Sequence, residues 1–263
     1  MVGATATVRT HLEGYLLRTE VRATTEVYYR RVVGVFCRWY GGDVPESDLT
    51  ADTLNRFLRE KQLAGRSSYY RKSLRSGLVA VLRDRLGSDK VRSIRLDALD
   101  VRCWDGAEVA RLVERCDVLP DQHRNYFRHA IALAYHTGLS QVDLHRVERL
   151  HVGEGGTIRL RRSKTGQECF VALPAELLAE LPRDGPLLPV KMSREMFRRH
   201  FKRVVAAAGL RGTFKTLRAS SGTAAELLTG RGHEHLANSR KVFERHYLDR
   251  SRIAREPVRL RLG

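Results

Sequence analysis

One change of period constrains this chain more than any other feature. Apolar residues recur at helical spacing along most of its length. Two short segments break that rule. Thr157-Ile158-Arg159-Leu160-Arg161 and Glu168-Cys169-Phe170-Val171-Ala172-Leu173 alternate with period two, and Lys164-Thr165-Gly166 between them reads as a turn. The pattern predicts one β-hairpin set inside an otherwise helical domain.

The helical pattern divides in two. Residues 24–40 place Tyr28, Val32, Val35, Phe36 and Trp39 at helical spacing, and Gly41-Gly42 stops that helix. Thr50 is placed to cap a helix that buries Leu54, Phe57 and Leu58. Residues 67–86 set Tyr70, Leu74, Leu78, Val81 and Leu82 on one face, and a further helix is expected within 5–22. Four helices of this length predict a small bundle. Residues 88–100 are polar, weakly periodic and read as a linker. Beyond it, Asp105-x-x-Glu108 has the pattern of a capping box. Residues 124–136 predict a helix with Phe127, Ile131 and Ala134 in register. Ser193 opens another, with Met196, Phe197, Phe201, Val204 and Val205 inward, Arg194, Arg198, Arg199, Lys202 and Arg203 outward, and Gly209 at its end.

Charge narrows the partners. The chain of 263 residues carries a formal charge of +18, which suits a polyanion because each neutralised phosphate releases counterions. The excess is not a tail. Residues 1–97 hold 18 Lys and Arg against 11 Asp and Glu, and residues 98–263 hold 30 against 19. The four cysteines, Cys37, Cys103, Cys116 and Cys169, are scattered without metal-ligand spacing and read as free thiols in a reducing compartment. No apolar run approaches the ~20 residues of a membrane span, and no signal-peptide core is visible.

Four residues follow one another in a telling order: Lys164 in the hairpin turn, Lys215 and Arg218 in Phe214-Lys215-Thr216-Leu217-Arg218, and Tyr247 in Arg245-His246-Tyr247-Leu248. Singly, each has an ordinary reading as a solvated turn lysine, a surface charge or a packed tyrosine. Together they fit metal-free cleavage of a phosphodiester. That reaction takes a nucleophile, cations on the non-bridging oxygens and an acid for the leaving oxygen. A phenol with a free pKa of about 10 attacks only a phosphate already clamped and aligned. Lys215 and Arg218 stand at i and i+3, on one helix face.

This constellation resembles the active site of the tyrosine recombinases, the phage-integrase family, and the resemblance extends over nearly the whole chain. It implies that Tyr247 forms a 3′-phosphotyrosine, Arg218 clamps phosphate, Lys215 fills a position held in the family by His or Lys, and Lys164 protonates the leaving 5′ oxygen. Two positions depart from the pattern. Thr137-Gly138-Leu139 is followed in the family by a clamping arginine and here by Ser140, with the acidic residue three positions on kept as Asp143. The family's His or Trp before the tyrosine aligns with Asn238, which still donates a hydrogen bond. His233, His235 and His246 are alternatives. A neutral hydroxyl does not replace a guanidinium, and a transition-state arginine is worth about 10³–10⁵ in rate in other phosphoryl-transfer enzymes. Arg146 lies six residues along the presumed helix, roughly 9 Å by helical rise, and so is not expected to stand in.

The resulting expectation is a mainly α, two-domain clamp with a small β-hairpin. A helical core-binding domain covers 1–97 and an integrase-type catalytic domain covers 98–263. Its partner is duplex DNA, gripped by Arg66, Lys72, Arg75, Arg161, Arg162, Arg240 and Lys241, and its setting is cytoplasmic and nucleoid-associated. No metal or other cofactor is implied. The family also implies paired protomers, up to a tetrameric synapse, and often a C-terminal segment docked in trans; here that segment, with Arg250, Arg252, Arg255, Arg259 and Arg261, is open to docking on a neighbour, docking on DNA or simple fraying. Two functions stay open: a site-specific recombinase or integrase cleaving through Tyr247, and a recombinase-derived DNA-binding protein that has lost cleavage. RNA binding is disfavoured, because no aromatic recognition motif appears.

Overall fold

The computed structural model describes residues 6–86, 90–97, 99, 101–190 and 192–253. They fall into two compact units, Met1–Ala98 and Leu99–Gly263. Arg255, Arg259 and Arg261 lie outside the described residues, as do Ser88, Asp89, Ala98 and Asp100 of the presumed linker.

The first unit is a bundle of four helices: α1 Val8–Arg18, α2 Ala23–Tyr40, α3 Ala51–Leu63 and α4 Ser68–Val81. Their ends follow local chemistry. The Thr50 hydroxyl accepts the N–H of Thr53 at the start of α3, and Gly41 closes α2 in the left-handed region at φ 94°. The core joins Val8 and Leu12 of α1 to Val32 and Phe36 of α2, Phe57 of α3, and Leu74 and Leu78 of α4. Gly77 lets α4 approach α2, since a Cβ there would lie 3.0 Å from Val32.

Part of the presumed linker is packed rather than free. Val91 is buried, the Arg92 N–H donates to Asn55 Oδ1 at 2.9 Å, and the Asp97 N–H donates to the Ser68 hydroxyl at 3.0 Å. Residues 90–97 are held to the first unit chiefly by hydrogen bonds between backbone groups and side chains, which leave no apolar period.

The second unit holds α5 Gly106–Glu114, α6 Asp121–Thr137, the one-turn α7 Gln141–Leu144, strands β1 Thr157–Arg161 and β2 Glu168–Ala172, and then α8 Ala175–Glu180, α9 Arg194–Ala207, α10 Phe214–Thr229, α11 Gly232–His235 and α12 Arg240–His246. The Asp105–Glu108 capping box is present, and Ser193 caps α9. The strands pair antiparallel, with Ile158 opposite Val171 and Leu160 opposite Cys169. Those four side chains face a core built on Phe127, Ile131 and Ala134 of α6 and Phe197, Phe201 and Val204 of α9. A smaller cluster of Leu236, Phe243 and Leu248 joins α11 and α12. It packs closely on α10: a Cβ at Gly222 would come within 2.6 Å of Leu236 and 2.9 Å of Phe243. All four cysteines are free and buried, and no described helix is long and apolar enough to cross a membrane.

Candidate active site

Helix α10 is the backbone of the site. Thr213 and Thr216 form a capping box at its start and Gly230 closes it at φ 68°. Small residues from Ala219 to Thr223 line its buried face, so α11 and α12 can come close. That closeness fixes Tyr247. Thr223 Oγ1 donates to the Tyr247 carbonyl at 3.1 Å, and the Asp249 N–H donates to the same hydroxyl at 3.1 Å. Asp249 Oδ2 in turn accepts the Cys103 N–H at 2.9 Å. The tyrosine is thereby tied to the helix that carries Lys215 and Arg218.

Both cations stand over the tyrosine ring, Lys215 Nζ at 5.3 Å and Arg218 Cζ at 4.9 Å from its centroid. Lys215 is exposed and Tyr247 half-buried. Arg218 is only 8% exposed and donates to the carbonyls of Gly138 and Leu236. It therefore joins the end of α6 to the turn before Asn238. Gly138 has φ 59°, and a Cβ there would press on Leu236, the Ser221 hydroxyl and the His235 ring, so the backbone must be bare at this point.

Asn238 lies in the same turn. It follows Ala237, a non-glycine residue at φ 45°, and its N–H donates to the His233 carbonyl at 2.9 Å. Its Nδ2 is buried without a hydrogen-bond partner. His235 feels the charges of both Arg162 and Arg218. Its Nε2 meets Ser221 Oγ at 2.7 Å. Burial drives its pKa down to about 4, helped by the charges of Arg162, Arg218 and His136. His246 is also held below its usual value, by burial and then by Lys215 and Arg245.

Ser140 sits at the start of α7 and binds Asp143 twice: its hydroxyl donates to Oδ2 at 2.8 Å and accepts the Asp143 N–H at 3.3 Å. Asp143 Oδ1 accepts the Ser163 N–H at 2.8 Å, which docks the hairpin turn on the same carboxylate. Burial alone would raise the Asp143 pKa. The hydrogen bonds from Ser163 and Ser140, with the Arg162 charge, outweigh burial and hold it below the usual range. Arg146 reaches this group too, with Nη1 3.5 Å from Asp143 Oδ1 and 3.1 Å from the Arg161 carbonyl. The rise of a continuous helix does not separate it from Ser140, because α7 ends after one turn. Lys164 is exposed on the turn, next to the docked Ser163. Among the described residues no hydrogen bond, ion pair or ring contact joins Lys164 to Tyr247.

The other expected DNA-gripping residues differ in setting. Arg66, Lys72, Arg161 and Lys241 are exposed, and Arg66 lies over the Tyr70 ring at 5.8 Å. Arg75 is spent on the carbonyls of Arg92 and Val91, and Arg240 pairs with Glu226 and Glu244. Arg162 is 5% exposed, far from the surface role its neighbour Arg161 takes. The alternation that reveals β1 already carries the reason. Residues 158, 160 and 162 share the inward face. Sequence reasoning also missed a groove of about 1100 Å³ in the first unit, lined by Arg56, Arg59, Arg71, Arg92 and Arg95. Arg92 and Arg95 of that groove come from the polar segment read as a linker.

The chain matches no protein-family model and no curated protein. Its structure is similar to solved structures. A lambda integrase dimer (residues 75–356) bound to a COC′ core site superposes with a TM-score of 0.77 at 19% identity, covering 96% of this chain and 99% of that one. The Tn1549 transposon integrase (residues 82–397) in complex with circular intermediate DNA gives 0.71 at 13% identity, covering 97% of each chain. XerH site-specific recombinase bound to difH gives 0.58 at 20% identity, covering 78% of this chain and 69% of that one. The fold of this chain is that of the tyrosine recombinases.

Proposed function

We propose that the protein is a site-specific DNA recombinase or integrase that cleaves and rejoins duplex DNA through a 3′-phosphotyrosine at Tyr247. The observation that carries this reading is the pair of cations, Lys215 and Arg218, over one tyrosine ring. The phenol passes its proton to solvent and attacks phosphorus. Arg218 and Lys215 hold the non-bridging oxygens as charge grows. The bond to the 5′ oxygen breaks, and Lys164 protonates that oxygen. Lysine suits this step because its ammonium gives up a proton readily once desolvated. Duplex DNA is the partner that +18 and the DNA-bound relatives favour. Self-association on DNA follows from the dimeric lambda integrase complex and from a lambda integrase tetramer bound to a Holliday junction. The two units then act as a core-binding domain, with the arginine groove among its cations, and a catalytic domain.

One observation favours a second reading, a DNA-binding protein of recombinase descent without cleavage. Ser140 offers a hydroxyl, already spent on Asp143, where the family has an arginine. A nicked duplex that traps the cleaved state separates the two. The recombinase reading expects a covalent protein–DNA adduct with the parent and none with Tyr247→Phe. An adduct that survives Tyr247→Phe would assign the nucleophile elsewhere. Binding without any adduct leaves the second reading.

A further inference from the structure

A second buried arginine, Arg162, lies close enough to Arg218 for the two charges to oppose each other. Arg162 extends the inward face of β1 past Ile158 and Leu160, and its Nη2 lies 3.7 Å from Cys169 Sγ on β2. Cys169 Sγ lies 4.0 Å from the Thr137 carbonyl, and the next carbonyl, Gly138, is the one that Arg218 holds. Cys169 thus stands between the Arg162 guanidinium and Thr137, beside the carbonyl that Arg218 holds in the segment that leads into Ser140. Both arginines are deeply buried, Arg162 at 5% and Arg218 at 8% exposure.

Arg162 is short of negative charge and of acceptors, whereas Arg218 holds two carbonyls. Arg162 Nε is buried without a hydrogen-bond partner. Burial and then the Arg218 charge disfavour its protonated form, with Cys169 and Asp143 only partly compensating. Asp143 itself already serves Ser140, Ser163 and Arg146. The Asn238 Nδ2 is a further buried donor without a partner, two residues from the Leu236 carbonyl that Arg218 holds. Two neighbouring forks and spare N–H donors suit a tetrahedral oxyanion, the group that accepts several such donors at once. Arg146 fits less well: its side chain is 47% exposed and its Nη1 is bonded to the Arg161 carbonyl.

We propose that Arg162 is the second phosphate-binding arginine of this site, reaching from the hairpin strand into the place of the arginine that Ser140 replaces. The proposal rests on the recombinase reading of the site. It makes Ser140 part of a relocated clamp.

The test reads covalent adduct on the nicked duplex with the full-length chain. Arg162→Gln, which keeps most of the volume and removes the charge, is expected to lower adduct formation about 100-fold or more while duplex affinity barely changes. Ser140→Arg placed in the Arg162→Gln background is expected to restore most of the loss, which a merely structural role for Arg162 would not allow. If Arg162→Gln does not fold, Arg162→Lys serves instead, because it keeps the charge and loses the fork; lowered adduct with rescue by Ser140→Arg is again the expected result. Full adduct from a folded Arg162→Gln protein, or failure of the rescue, overturns the proposal and leaves the recombinase reading standing. A second measurement holds even if the parent forms no adduct. Inorganic phosphate without DNA is expected to raise the thermal midpoint of the parent saturably and that of Arg162→Gln much less. An equal response in both, or none in the parent, overturns the proposal.

Discussion

Arg30 in the first unit and Arg218 in the second show how differently one residue type can be used in a single chain. Arg30 lies on the surface of α2, with its Nη1 2.5 Å from Glu13 and its Nε 2.8 Å from Glu26. Two carboxylates raise its pKa, and water surrounds all three groups. Arg218 is 8% exposed, bonds two backbone carbonyls and has a like charge, Arg162, for a neighbour. A positive charge that is balanced in place is ornament on a soluble surface. A buried one with a like charge beside it is costly to hold, and the recombinase reading assigns that cost to an anion that arrives from outside.

The contrast breaks most visibly at Arg218 itself. Arg218→Ala leaves the carbonyls of Gly138 and Leu236 buried without their donor. Each such loss costs about 1–3 kcal/mol, and the two act on separate segments. Chemical denaturation is expected to show a drop of about 2–6 kcal/mol, with covalent adduct abolished. A variant as stable as the parent would mean that water or a neighbouring side chain takes over both acceptors, and that Arg218 is no more tied to its surroundings than Arg30.

His235 measures the same buried charges by titration. Its folded pKa is about 4, against about 6.5 for a free imidazole. Between those values the unfolded chain binds more protons than the folded one, so stability rises with pH there. The neutral imidazole contributes fully above about pH 6.5, and that contribution is lost as pH falls toward 4. The shift corresponds to about 3 kcal/mol across the window. His235→Gln is expected to flatten this part of the stability profile. Arg162→Gln should move the folded pKa upward and shrink the window, since burial is the larger cause and the Arg162 charge the next. An unchanged profile in Arg162→Gln would separate the two side chains and weaken the relocated clamp.

The parts of the molecule that were legible in the sequence share a physical cause. The hairpin, the capped helices and the order Lys215, Arg218, Tyr247 are local facts, set by period, capping chemistry and spacing on one helix. The features that were missed depend on tertiary docking. Residues 90–97 attach through Asn55 and Ser68, whose side chains bond backbone groups and leave no apolar signature. Arg146 comes to Asp143 only because α7 stops after one turn. Arg162 stands between the two classes. Its inward register follows the alternation of Ile158 and Leu160, whereas its charge points to a place outside.

The smallest expected effect lies at the other end of the comparison. Arg30→Gln removes a cation with two acidic partners and short hydrogen bonds, features that look stabilising in a list of contacts. All the groups involved are open to solvent, where Coulomb attraction is weak and ordering two long side chains costs entropy. Glu13 and Glu26 return to water without leaving a buried charge behind. The denaturation midpoint is therefore expected to stay close to that of the parent, and the small remaining difference should vanish in high salt, which screens exposed pairs. The Arg218→Ala loss should persist in the same salt, because it comes from unpaired buried carbonyls that mobile ions do not reach. Equal salt sensitivity in the two variants would place both arginines in the same solvent-exposed class.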